Sequence, residues 1–277
     1  VSDRMAAAEA SAVLIRKLAI LSVLLACTPD GGETPVPNPD PSDTSRIDSA
    51  AVIVSPDLLS AFGDSVLQIY RERPEQVLKQ LRPEDHPQDV RIAAVLLARS
   101  SGEAKLTFAH YLVTQGERSV PALLNLVDVE DDWATQVAAI QVLAKIGNPE
   151  ATESVVLRLH AKNDWVRIAA AHALGELGGA TPALVEALSD TTDTVVSAAL
   201  IGLGRSGDVS ALPACVSFLV HSNPRVRAAA VSALSRLGSS ADTTSLSPLL
   251  SDPDNGVRYK AKQAIERMVA SGAKGSP

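Results

Sequence analysis

One phrase recurs six times along this chain, and that repetition constrains the fold more than any other feature. DWVRIAAAHALGELGG at residues 164–179 returns as NPRVRAAAVSALSRLGS at 223–239. Aligned copies start at Ala104, Thr135, Val166, Val195, Val226 and Val257, at intervals of 31, 31, 29, 31 and 31 residues. The first five copies end on Gly116, Gly147, Gly178, Gly207 and Gly238. Self-similarity at a fixed period near thirty marks a stack of identical supersecondary units.

Each copy reads as two helices. In the first, Val166, Ala169, Ala170, Ala173, Leu174 and Leu177 fall on one face at helical spacing. Asp164, Asp193 and Asn255 precede that face, where a side-chain oxygen would cap the open backbone N–H groups. The closing glycine would supply the left-handed turn that stops the helix. Pro182 and Pro213 open the second helix, where the missing N–H costs nothing. Leu184, Val185 and Leu188 in one unit, and Val216, Phe218 and Leu219 in the next, would form its apolar face. The alanine-rich first helices can approach to about 8 Å. One pair cannot bury its own stripe, so stacking makes the core continuous. The fold class is therefore all-α: an α-solenoid of two-helix repeats, a curved rod on the order of 50–60 Å long at ~8–10 Å per unit.

The repeats DxxVRxxAxxALGxxG, each followed by a Pro-opened helix, resemble the short HEAT-like repeats first grouped with phycobilin lyases. The resemblance covers roughly residues 104–269 of an array at 104–271. It implies that Arg167, Arg227 and Arg258, with Lys105 as a near match, pair with an acid of an adjoining unit. Gln136 and Val196 depart from that position, which would leave weaker seams there. Residues 50–103 read as N-terminal capping helices, drawn from residues 58–81, followed by a degenerate opening unit that includes VRIAAVLLARSSG from Val90. Residues 272–277 are a tail.

The first 26 residues do not read as fold. Met5 is a plausible start. Arg16 and Lys17 precede a short apolar run at 18–26, too short for a conventional span of ~20 residues and suited to an export signal. Leu24-Leu25-Ala26-Cys27 resembles the lipobox of bacterial lipoproteins. That resemblance implies cleavage before Cys27 and acylation of its thiol and amine, which attaches the chain to a membrane. Thr28 stands where many such proteins carry an inner-membrane Asp, so the expected address is the periplasmic side of an outer membrane. An ordinary secretory signal with an incidental cysteine is the alternative. Residues 27–49 are Pro-rich and acidic with no apolar period, a tether that could reach about 70 Å. Cys215, then the one cysteine left in the body, reads as a buried apolar residue.

Chemistry is sparse. GLGRSG at 202–207 matches a dinucleotide fingerprint, but it lies in register with the helical phrases and lacks an acid about twenty residues on. The histidines, at 86, 110, 160, 172 and 221, show no His-x-x-x-His spacing, and no Cys pair exists, so no metal site is expected. Glu130, Asp131 and Asp132 fall at a turn and read as a solvated cap. The net charge of −7 argues against a nucleic-acid partner. No cofactor, catalytic residue or small-molecule substrate is evident.

The expected function is a membrane-anchored scaffold that binds a protein or peptide partner in the bacterial envelope. The expected surface is a concave face lined by the second helices. Candidate contacts are Glu153, Arg158 and Glu186 on those helices, and Trp133 and Trp165 at the starts of consecutive first helices. The tryptophans could anchor a partner or lid the seams between units. An enzyme or accessory subunit of the HEAT-like lyase type, and a structural envelope spacer, are the alternatives.

Overall fold

A computed structural model describes residues 74–79, 81, 88–129, 132–238 and 242–273. The export signal, Cys27, the tether and most of the capping segment lie outside the described residues. The chain divides into two units, 1–80 and 81–277. In the first, the described part holds one short helix, α1 (Pro74–Leu78).

The second unit carries the repeats, and every element described in it is helical. It opens with α2 (Gln88–Arg99), α3 (Gly102–Gln115) and α4 (Val120–Val129), which pack on one another. Long and short helices then alternate. The long ones are α5 (Trp133–Ile146), α7 (Asp164–Leu177), α9 (Asp193–Ser206), α11 (Pro224–Leu237) and α13 (Asn255–Ala273). The short ones are α6 (Thr152–Leu157), α8 (Thr181–Glu186), α10 (Leu212–Ser217) and α12 (Thr243–Leu246). Each short helix tightens into a 3₁₀ turn before the chain enters the next long helix. The residue leaving that turn has nearly the same backbone angles in four units: φ/ψ of −62/147° at Ala161, −61/145° at Asp190, −62/146° at His221 and −58/142° at Asp252. Sequence period has become structural period.

The long helices stack directly on one another, α7 on α9 and α9 on α11 most extensively. Small residues make this possible. A Cβ built on Gly175 of α7 would lie 2.6 Å from the Gly202 Cα of α9, and one on Gly204 would lie 2.8 Å from the Ala233 Cα of α11. The glycines of GLGRSG therefore serve helix–helix contact. Gly202 and Gly204 lie within α9, and Gly207 ends it in the left-handed region.

Four expectations need correction. The caps sit one residue earlier: Asn163, Thr192 and Asp254 precede the helices, and Asp164, Asp193 and Asn255 are first helical residues. Asn163 accepts from the Trp165 N–H and Asp254 from the Val257 N–H, whereas Thr192 makes no side-chain cap. Gly116, Gly147, Gly178 and Gly207 have positive φ, but Gly238 is extended at φ −83°. A Cβ on Gly238 would meet the Leu234 carbonyl and the Met268 methyl at 2.8 Å, so close packing is what favours glycine there. Val185 and Val216 are exposed, while Leu184, Leu188, Cys215 and Leu219 are buried. The buried positions recur every three to four residues, at 181, 184 and 188 and at 211, 215 and 219, and the valines stand one residue off that stripe. Leu177 is half-buried rather than part of the core.

Candidate binding groove

The Val166, Ala170, Ala173 and Leu174 stripe of α7 is buried in the array. The same helix carries a second stripe at helical spacing: Trp165, Ile168, His172 and Glu176. This stripe is the centre of a groove. Between α5 and α7 lies a depression of ≈ 410 Å³ lined by Val137, Gln141, Lys145, Trp165, His172 and Arg205, among others. A second, also ≈ 410 Å³, is lined by residues of α7, α9, α11 and α13, including Ser197, Ile201, Arg225 and Lys260. Ile168 and His172 line both, so the two lie side by side across α7.

His172 is the most constrained side chain in the groove. Its Nδ1 is enclosed and has no hydrogen-bond partner. Burial, and then the nearby Arg205 charge, push its pKa below the ordinary histidine value, while Glu176 opposes them. Arg205 Nη1 donates to Glu176 Oε1 at 2.9 Å, an exposed tie between α9 and α7. Trp165 borders the groove with its side chain 62 % exposed. Trp133 is 45 % exposed and does not line either depression.

The other candidates belong to the short-helix layer. Glu153 and Glu186 are exposed there. Arg158 pairs with Asp128 of α4 at 3.3 Å, and Asp128 also accepts from Ser154 at 2.6 Å. Arg158 therefore ties two units together, and none of the three lines the groove.

The repeat arginines hold the seams. Arg167 Nε and Nη2 donate to Asp190 at 2.8 and 3.2 Å, and Nη1 to the Ala161 carbonyl at 2.9 Å. Arg227 repeats this with Asp252, at 2.8 and 2.7 Å, and with the His221 carbonyl at 2.8 Å. Each arginine thus clips the link before its own helix to the link before the next. Hydrogen bonding from Arg227 holds the Asp252 carboxyl below its ordinary pKa. Arg258 keeps the carbonyl contacts, with Nη1 donating to Asp252 and Pro253. At both departures the acid is missing along with the arginine. The register position facing Val196 is His221, and that facing Gln136 is Ala161, so neither substitution strands a charge. Gln136 donates instead to the Val127 carbonyl at 3.1 Å, and Asn223 to Asp193 at 2.7 Å.

Asp132 caps α5 by accepting from the Ala134 and Thr135 N–H groups; Glu130 and Asp131 lie outside the described residues. Cys215 is fully buried, and burial pushes its thiol up to about 11. His110 and His160 are exposed, His221 is half-buried, and His86 lies outside the described residues. Among the described residues, no group of three His, Cys, Asp or Glu side chains is placed to hold a metal ion. No described helix is long and apolar enough to cross a membrane.

Sequence reasoning named Trp165 but passed over Ile168, Ile201, Lys145, Arg225 and Lys260. The signal was present in α7: Trp165, Ile168, His172 and Glu176 recur at intervals of three and four on the side opposite the buried stripe.

The pattern of the HEAT repeats family matches residues 120–201 and 181–266, together more than half of the chain. No curated protein matches the chain. Among solved structures, an engineered protein is similar at 21% identity, covering 71% of this chain and 95% of its own, with a TM-score of 0.46. The complex of CpcE and CpcF of phycocyanin lyase from a Nostoc species is similar at 23% identity, covering 64% and 75%, with a TM-score of 0.46. A designed armadillo repeat protein in complex with the peptide (KR)4 is similar at 18% identity, covering 73% and 98%, with a TM-score of 0.44.

Proposed function

This chain belongs to the HEAT repeat family, and on that premise we propose that it is a scaffold, anchored by lipid in a bacterial envelope, that binds a protein partner along its long helices. The observation that carries the binding half is the groove centred on α7. A fully packed array would leave that face featureless and polar. Here an open tryptophan, two isoleucines and a half-buried histidine with an unsatisfied nitrogen line two neighbouring depressions. Exposed apolar and aromatic surface beside enclosed polar atoms is the usual composition of a recognition site. Rigid stacking keeps these side chains in place before a partner arrives, which lowers the ordering cost of binding.

The anchoring half rests on the resemblance of Leu24-Leu25-Ala26-Cys27 to a lipobox and on the Pro-rich, acidic stretch after it, which suits a spacer between bilayer and body. The two halves are tested separately. Radiolabelled palmitate should enter the full chain and be lost in Cys27→Ala; equal labelling of both would remove the anchor. Chemical crosslinking in native envelopes, read by mass spectrometry, should return one recurrent partner for the wild type and lose it in Trp165→Ala combined with Ile201→Asp. A partner profile indifferent to both substitutions would remove the groove from the function and favour a plain spacer.

A further inference from the structure

The groove differs in charge from the rest of the molecule. The chain as a whole has a net charge of −7, yet α5 and α11 contain no acidic residue and α9 has only Asp193, in its first turn. Lys145 lines the α5 side of the groove, and Arg225 and Lys260 the α11–α13 side. None of these three makes an ion pair among the described residues, and the Lys260 ammonium donates only to Ser232 Oγ, at 3.3 Å. Glu176, the one acid lining either depression, is already paired with Arg205. The short-helix layer has the opposite sign: Glu150, Glu153 and Glu186 stand against Arg158 alone, and Arg158 is paired with Asp128. Bases outnumber acids on the long helices, and acids outnumber bases on the short ones.

We propose that the groove receives an extended acidic peptide segment of the partner protein, its carboxylates on Lys145, Arg225 and Lys260 and its apolar side chains on Ile168, Ile201 and Trp165. This deepens the scaffold reading and rests on it. The separation of the cations favours an extended ligand. They sit on α5, α11 and α13, and the four intervals between those five long helices, at ~8–10 Å each, place the ends roughly 32–40 Å apart, the span of about ten to twelve extended residues. The floor between them is apolar, with Ala198, Ala228 and Ala229 beside the isoleucines, so the ligand needs apolar positions between its acids. His172 lines both depressions and stands midway between the cations. A nucleic acid or an anionic bilayer would find three unpaired cations on a strongly acidic body, too few for the many phosphate contacts such surfaces use.

The test is fluorescence anisotropy of the full-length chain with labelled peptides of about twelve residues, long enough to span the groove. One alternates Glu with Leu and Ala, a second replaces every Glu by Lys, and a third replaces it by Gln. Vesicles containing phosphatidylglycerol and a single-stranded oligonucleotide form separate arms. The acidic peptide should bind best and weaken with added salt. Its affinity should fall roughly tenfold in Arg225→Glu/Lys260→Glu, since like charges are then opposed. Glu153→Lys/Glu186→Lys, on the other layer, should leave it unchanged. Circular dichroism checks that the charge-reversed chain folds, and Arg225→Gln/Lys260→Gln gives a milder series in which the loss should be smaller and of the same sign. Equal binding of the acidic and basic peptides, or binding only to vesicles or oligonucleotide, overturns the proposal. If the acidic peptide fails while the envelope crosslinks still depend on Trp165 and Ile201, the scaffold reading survives and only the acidic ligand falls.

Discussion

Arg227 and Asp252 meet through two hydrogen bonds of 2.8 and 2.7 Å, with both side chains almost covered. Exposed pairs contribute about 0–1 kcal/mol, and removing one partner of a deeply buried pair costs about 3–5 kcal/mol. This pair is covered but close to the surface, so Arg227→Ala should cost roughly 2 kcal/mol in urea unfolding, most of it from stranding Asp252. Adding Asp252→Ala should restore part of the loss; strictly additive losses would deny the pair its role at the seam. Asp252 has a lowered folded-state pKa, so its contribution is present above the ordinary carboxylate value and is lost as pH falls through the folded one. His172 carries a depressed folded-state pKa of its own. The unfolded chain then binds the extra proton, so stability is whole above the ordinary histidine value and falls as pH drops below it. Between about pH 7.5 and 5.5, which brackets that value, the melting temperature of the wild type should drop more than that of His172→Gln. Parallel curves would show that the imidazole is not held neutral.

At the scale of elements, the contact between α7 and α9 depends on two glycines facing each other. Alanine is worth about 1 kcal/mol more than glycine in a helix interior, which would favour Gly202→Ala on propensity alone. The built Cβ, however, meets the Ala171 carbonyl of α7, and backbone cannot step aside as a flexible side chain can. Overpacking of this kind costs about 1–3 kcal/mol, so the net effect should be destabilising. A higher melting temperature for Gly202→Ala would mean that the helices lie further apart than described. Much of this element scale was legible in the sequence. The thirty-residue period fixed the long helices, Pro182 and Pro213 marked the short ones, and the arginine register led to the seams. What escaped did so for local reasons. Val185 and Val216 look apolar and inward, but each short helix buries only a narrow stripe, through Leu184 and Leu188 or Cys215 and Leu219, and the valines stand one residue off it. Gly238 matches the left-handed glycines in sequence, yet its backbone is extended, and an added Cβ would meet the Leu234 carbonyl and the methyl of Met268, 30 residues away. A phrase read by itself does not contain its neighbours.

The molecule as a whole presents two layers with different tasks. The short helices close the core through Val155, Leu184, Cys215 and Leu246, each fully buried. The long helices supply the rest of the core with one face and a grooved surface with the other. The sequence established two layers and led to a binding face on the second helices, through Glu153, Arg158 and Glu186, whereas the grooved surface lies on the long helices. The structure brings Trp165, His172, Ile201 and Lys260, from three long helices, to two neighbouring depressions that share Ile168 and His172. The most direct measurement is site-specific photocrosslinking in native envelopes, with a benzophenone side chain placed in turn at Gln141, Ile201 and Glu186. The account predicts one common adduct from Gln141 and Ile201, competed away by the acidic peptide, and none from Glu186. An adduct from Glu186 with silence at the other two would contradict it.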